Sequence, residues 1–116
     1  MSEAAAADRR LTIVVERNGS MAVVRCSGRL VAGYTDAFQR EIKPLIPDSK
    51  RIVVDMKDVT HMDSMGLGTL VRLYVSAKSG GCTLELANIG PSVRHLLGVT
   101  HLISVLAVIG EYNVRF

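Results

Sequence analysis

Arg51-Ile52-Val53-Val54-Asp55-Met56, then Met62-Asp63-Ser64-Met65-Gly66-Leu67-Gly68, is the stretch whose reading decides the fold. The first run, taken with Lys50, is apolar and β-branched and reads as a central strand buried on both faces. Residues 57–65 read as a polar connection, and Leu67 to Lys78 reads as a helix. Its expected buried stripe is Leu67, Leu70, Val71 and Tyr74, with Arg72 and Ser76 off the stripe. Strand, loop and helix in that order set Ser64 beside the amino end of a helix. Free N–H groups and the helix dipole favour negative charge there. A phosphoryl group on Ser64 is tolerated locally and adds about −1.5 to −2 charges to the surface a partner reads.

Working outward, Leu11 to Arg17 is a β-branched strand that ends at Asn18-Gly19, a hairpin turn dipeptide, and Ser20 to Cys26 returns as a second strand. Thr35 is the expected N-cap of a first helix, with Phe38, Ile42 and Leu45 on one face. Pro44 ends that helix near Lys43. Gly80-Gly81 stops the second helix, and Cys82 to Ala87 is a further strand. Pro91 opens a short helix with Val93, Leu96 and Leu97 on one side. Ile103 to Val108 reads as a last strand and Glu111 to Phe116 as a tail. Strands and helices alternating after an opening hairpin predict one α/β domain, a mixed sheet of about five strands with helices packed on it.

Composition narrows the function. The 116 residues suffice for one core, with 48% hydrophobic and 22% charged residues and no tryptophan. The net charge is +3, and the 14 basic residues are scattered with no basic block or aromatic-interleaved stripe, which argues against nucleic-acid binding. Residues 1–10 lack the apolar core of a signal peptide and read as a disordered tail ahead of the domain at 11–116. The longest apolar run, Leu102 to Gly110, is too short to span a bilayer, so direct membrane insertion is not expected. Cys26 and Cys82 form no C-x-x-C pair and read as buried free thiols of a reduced, cytoplasmic protein.

Catalytic templates fit poorly. A nucleophile elbow needs a glycine two residues before the serine, and that position is Met62. Gly66-x-Gly68 resembles the start of a dinucleotide fingerprint, with Glu85 near the place of a ribose-binding acid. However, the third glycine is Val71, and the loop at 57–65 separates strand from glycines. The bland reading of Gly66 and Gly68 is close packing at a helix start. His61, His95 and His101 match no zinc template. Asp55, Asp58 and Asp63 gather near the end of one strand, where most acids cap turns. No cofactor, no metal and no catalytic residue is expected. Ser64 keeps two readings, a hydrogen-bonding helix-start residue or a modified one. Met62 is either core or contact surface, and Met65 is expected to be exposed.

These motifs resemble the STAS domain family (sulfate transporter and anti-sigma-factor antagonist). The resemblance rests on Val53-Val54-Asp55-Met56, on Val59 through Gly68 with its D-S-x-G-[LIV] helix start, and on Gly28-Arg29-Leu30. Gly80-Gly81 and Pro91-Ser92-Val93 fit the family's second half. It implies a small α/β binding module that is not an enzyme. It further implies an anti-sigma-factor antagonist whose unphosphorylated form binds a serine kinase of the anti-sigma type and frees a sigma factor, with a phosphatase restoring that form. Ser64 is then the phosphoacceptor, Asp63 shapes the loop, and Gly66 and Gly68 permit close approach of a partner. Met62, Asp63, Met65, Gly66, Thr69 and Arg72 are the expected partner contacts. Val31 stands where the family often has an acid, Met65 where it often has a small or hydroxyl residue. Little chain remains after Val108 for the family's final helix. The alternative implied is a scaffold or small subunit of a lipid-transport or stress-signalling complex, in which Ser64 is never phosphorylated.

Overall fold

The computed structural model describes residues 10–99 and the backbone of 107–109. The expected tail at 1–9, residues 103–106 of the expected last strand and the end at 111–116 lie outside the described residues. Five strands form one sheet in the order β1 (Leu11–Asn18), β2 (Met21–Leu30), β3 (Arg51–Met62), β4 (Thr83–Ala87) and β5 (Ala107–Ile109). The β1–β2 pair is an antiparallel hairpin turned at Gly19, whose φ is +64°. All later pairs are parallel. Parallel neighbours need crossover connections. They are supplied by α1 (Thr35–Ile42), α2 (Ser64–Ser79) and α3 (Pro91–Val99).

The core lies between the helices and one sheet face. Ala22, Val24 and Cys26 of β2, Ile52, Val54 and Met56 of β3, and Leu84 and Leu86 of β4 point into it. Phe38 and Ile42 of α1, Leu67, Leu70, Leu73 and Ala77 of α2, and Val93 and Leu97 of α3 meet them. Strand alternation sends the intervening residues to the other face. There Arg25 reaches Glu16 at 3.2 Å and Asp55 at 3.9 Å, and Arg51 pairs with Glu85. Glu85, a ribose-binding candidate on sequence grounds, is thus committed to an ion pair inside the sheet.

Several boundaries differ from the sequence reading, each for a local reason. Tyr34 stands at the N-cap of α1 and Thr35 is its first helical residue, buried. Pro44 does end α1, which tightens into a 3-10 turn over Lys43–Leu45. On α2 the buried residues are Gly66, Leu67, Thr69, Leu70, Leu73 and Ala77, while Val71 and Tyr74 are only partly buried. The largest difference is β3, which runs through Met62. Its last part pairs with β2 alone, from Ser27 against Asp58 to Leu30 against Met62, because β4 already ends at Ala87, opposite Asp55. This paired extension of β2 and β3 leads directly into Asp63 and Ser64, the candidate site residues.

Both cysteines are buried and free. Burial, helped by the nearby Asp55 carboxylate, pushes the Cys26 thiol up to about 12. Burial also raises Cys82. Thiolate is the reactive form, so both act as small apolar fillers.

Candidate functional site

The strands β2 and β3 finish side by side, and the chain leaves each of them at the same rim of the sheet. Leu30 pairs with Met62, so the loop after β2 and the start of α2 become neighbours. Asp63, the single residue between β3 and α2, has extended backbone (φ −111°, ψ −175°) and is the N-cap of the helix. Its Oδ1 accepts from the Gly66 N–H at 2.9 Å, and its Oδ2 accepts from the Ala32 N–H at 3.0 Å. One carboxylate therefore caps α2 and ties it to the β2–α1 loop. These two N–H donors, Ala32 first and Gly66 second, hold the Asp63 carboxyl below its ordinary value of 3.8.

A depressed folded pKa has a definite stability consequence. The Asp63 contribution is complete above about pH 4 and disappears as pH falls through the lower folded value. Replacing Asp63 with Ala is expected to cost about 1–2 kcal/mol near neutrality, the worth of an N-cap with its loop tie. The loss relative to wild type is expected to shrink below pH 4, where the native carboxyl protonates. Denaturant unfolding of both proteins across pH 3 to 7 measures this. A difference that stays constant through that range contradicts the assignment.

Because Asp63 does the capping, Ser64 does not. Of the two readings of Ser64, the hydrogen-bonding helix-start one does not describe its side chain. It is the first helical residue, exposed, and its hydroxyl makes no hydrogen bond among the described residues. Met65 beside it is 52% exposed. Met62 is partly buried and packs against the core.

Two expected partner contacts turn inward. Thr69 is fully buried; its hydroxyl donates to the Met65 carbonyl at 2.9 Å and accepts from Arg72 at 3.1 Å. A threonine can bury itself in a helix this way because the previous turn's carbonyl satisfies its hydroxyl. Gly66 is buried too, and a Cβ there would stand 2.1 Å from the Leu30 carbonyl oxygen. It lets α2 sit on this protein's own β2, not on a partner. Gly68 is different, since a Cβ there would only touch Arg72 at 3.6 Å.

The outward side of α2 carries Ser64, Met65, Gly68, Arg72 and Val75, which recur at helical spacing. Val75, 55% exposed, was not singled out from sequence. A valine in an apolar helix reads as core; only the position of the true stripe, Gly66-Leu70-Leu73-Ala77, shows that it faces out. Between α1 and α2 a small cavity of about 110 Å³ is lined by Gln39, Lys43, Arg72, Leu73 and Ser76. Arg72 thus stands at the border between the outward side of α2 and the groove beside α1.

Other chemistries find little here. The nine-residue separation counted against a dinucleotide site does not exist, since β3 reaches Met62. The glycines nonetheless lie inside α2, and Gly66 is filled by Leu30, so the close-packing reading of Gly66 holds on steric grounds. Asp55 and Asp63 have separate duties, Asp55 accepting from the Lys57 N–H and from Asn88. Among the described residues no group of three His, Cys, Asp or Glu side chains is arranged to hold a metal ion. Among them, too, no helix is long and apolar enough to cross a membrane.

The STAS domain model matches residues 12–112, and the chain belongs to that family. It is 28% identical over 91 residues to a STAS-domain containing protein of Pseudomonas aeruginosa, covering 78% of this chain and 90% of that one. It is 24% identical over 98 residues to the anti-sigma-B factor antagonist of Bacillus subtilis, covering 84% and 90%. Among solved structures, an anti-sigma factor antagonist from Mycobacterium paratuberculosis superposes with a TM-score of 0.79 at 22% identity over 90% of this chain and 89% of that one. The anti-sigma factor antagonist SpoIIAA, solved in unphosphorylated form, gives 0.73 at 19% identity over 86% and 90%. At these identities the structural likenesses establish the fold, which is the α/β STAS architecture expected from sequence.

Proposed function

We propose that this chain is an anti-sigma-factor antagonist, a binding module and not an enzyme, switched by phosphorylation of Ser64. In its unphosphorylated form it binds an anti-sigma factor that is also a serine kinase and so frees a sigma factor. A phosphatase returns the modified protein to that form. One observation carries this reading: the Ser64 hydroxyl is exposed and has no hydrogen-bond partner among the described residues, with Asp63 as the cap. A kinase can reach such a hydroxyl without unfolding the helix, and a dianion at the first helical position meets free N–H groups.

The family relationship, and the existence of SpoIIAA structures in unphosphorylated and phosphorylated forms, support the same reading. The contact surface that follows is Ser64, Met65, Gly68, Arg72 and Val75, with Met62 and Asp63 supporting it from beneath. Adaptable methionine beside a modifiable serine suits a surface whose partner must bind and release.

The test is intact mass spectrometry after incubation with ATP and the cognate anti-sigma kinase. Wild type is expected to gain one phosphoryl group, and Ser64→Ala none. Equal phosphorylation of the two proteins, or of neither, contradicts the switch.

A further inference from the structure

On the outward side of α2, Ser64, Gly68 and Arg72 follow one another at intervals of four and form a single ridge. Helical side chains lean toward the amino end, and long ones fold back over the preceding turn. Arg72 does so. One guanidinium nitrogen donates to the Thr69 hydroxyl at 3.1 Å, and another lies 3.6 Å from where a Gly68 Cβ would be. A methyl at position 68 would only touch the guanidinium, whereas a longer side chain there would occupy the space it covers. Over Gly68 this permanent cation stands about one helical turn from Ser64, since i and i+4 positions are about 5–6 Å apart.

We infer that Arg72 is the internal reader of the Ser64 modification: the guanidinium pivots over Gly68 and pairs with a phosphate on Ser64. This rests on the phosphorylation reading above and goes beyond it by naming the residue of this chain that responds. The exchange is favourable in kind. Arg72 gives up a neutral hydroxyl acceptor for a dianion, and charge-assisted bonds to phosphate are roughly twice as strong as neutral ones. Thr69 is not stranded, because it keeps its own bond to the Met65 carbonyl. Only side-chain torsions change, so the helix stays in place. Modification then alters the contact surface twice, by adding a dianion and by drawing Arg72 away from the groove it shares with Gln39 and Lys43.

The experiment installs phosphoserine at position 64 during synthesis, so that no kinase is needed, and follows the phosphorus resonance through its second ionisation. A neighbouring cation favours the dianion, whereas the Asp63 carboxylate opposes it and Lys43 in the 3-10 turn after α1 assists from further away. Three proteins are compared: Arg72 intact, Arg72→Gln, and Lys78→Gln, which loses the same charge at the far end of α2. With Arg72 intact the phosphate is expected to titrate about half a unit lower than in Arg72→Gln, as for a charge pair across one helix turn near the surface. Lys78→Gln is expected to follow wild type. Arg72 is exposed and glutamine is a good helix former, so the substitution leaves the helix intact. Coincident titration of Arg72→Gln with wild type, or an equal shift in Lys78→Gln, overturns the assignment. The two ideas fail separately: a kinase that ignores Ser64 defeats the switch without touching this titration, and an unshifted titration defeats the reader alone.

Discussion

Gly66→Ala is expected to be among the most damaging single-methyl changes in this protein, while Gly68→Ala, two residues on in the same helix, is expected to stabilise it. Helix propensity alone treats the two alike, with alanine ahead of glycine by about 1 kcal/mol at each position. Packing separates them. A methyl at Gly66 would overlap the Leu30 carbonyl oxygen at 2.1 Å and crowd the Leu30 carbonyl carbon and Cγ at 3.1 Å. Leu30 is fully buried and ends β2, and the loop just beyond it is held by the Asp63–Ala32 bond. Neither partner can retreat cheaply, so α2 must lift from the sheet. Overpacking of this kind costs about 1–3 kcal/mol and occasionally more, and a clash with backbone belongs at the upper end. The net loss is expected to be about 2–3 kcal/mol, a fall in melting temperature of roughly 10–20 °C for a domain of this size. At Gly68 the added methyl meets Arg72 at an ordinary 3.6 Å and gains about 0.5–1 kcal/mol. Thermal unfolding of the two variants beside wild type decides the matter. Equal melting temperatures would show that α2 does not rest on Leu30 as described.

This pair also shows where sequence reading stops. The doublet Gly66 and Gly68 is legible as a close-packing feature, but not which glycine packs, because that depends on a β2 carbonyl distant in the chain. The succession of strands and three helices along the chain was legible because their apolar spacing is regular: Ile52-Val53-Val54 for a buried strand, Phe38 and Ile42 for one helix face. The end of β3 was not. Two register shifts between β2 and β3 each insert a residue into β3, so Met56, Val59 and Met62 turn to the core every third residue instead of every second. Bulges of this sort erase the alternation that marks a strand. Lys57, Asp58, Thr60 and His61 are exposed because β4 does not extend alongside them, and their polarity imitates a loop.

At the candidate site, a helix start at Asp63-Ser64 could be read, but the division of labour could not. Both residue types cap helices well, and only the extended backbone of Asp63 and its two N–H partners assign the cap. Thr69 was misplaced for a related reason: its hydroxyl counts as polar in a pattern but is satisfied within the helix, leaving a small apolar body that packs. Val75 was missed in the opposite direction. A helix whose buried stripe includes a glycine and an alanine hides its inner face from any count of large apolar residues.

Ser64→Asp is expected to abolish binding of the proposed partner, an anti-sigma kinase, while Ser64→Ala binds as wild type does. The hydroxyl makes no hydrogen bond among the described residues, so alanine removes nothing on which the fold depends. Aspartate at the first helical position interacts favourably with the helix dipole, by about 0.3–1 kcal/mol, so the substituted protein is expected to melt no lower than wild type. Any loss of binding is then an interface effect. With Met65 exposed beside the position, a partner that seals this surface leaves a carboxylate desolvated and without a partner, a cost of several kcal/mol for a charge. A penalty of about 3 kcal/mol already weakens association more than a hundredfold. Calorimetric titration of the kinase with each variant, beside their melting curves, separates the outcomes. Loss of binding with an unchanged or raised melting temperature is the signature of a charge switch at Ser64. Equal affinity of the two variants would mean that the partner does not seal the surface around this hydroxyl, and the same face would then serve as a constitutive docking site.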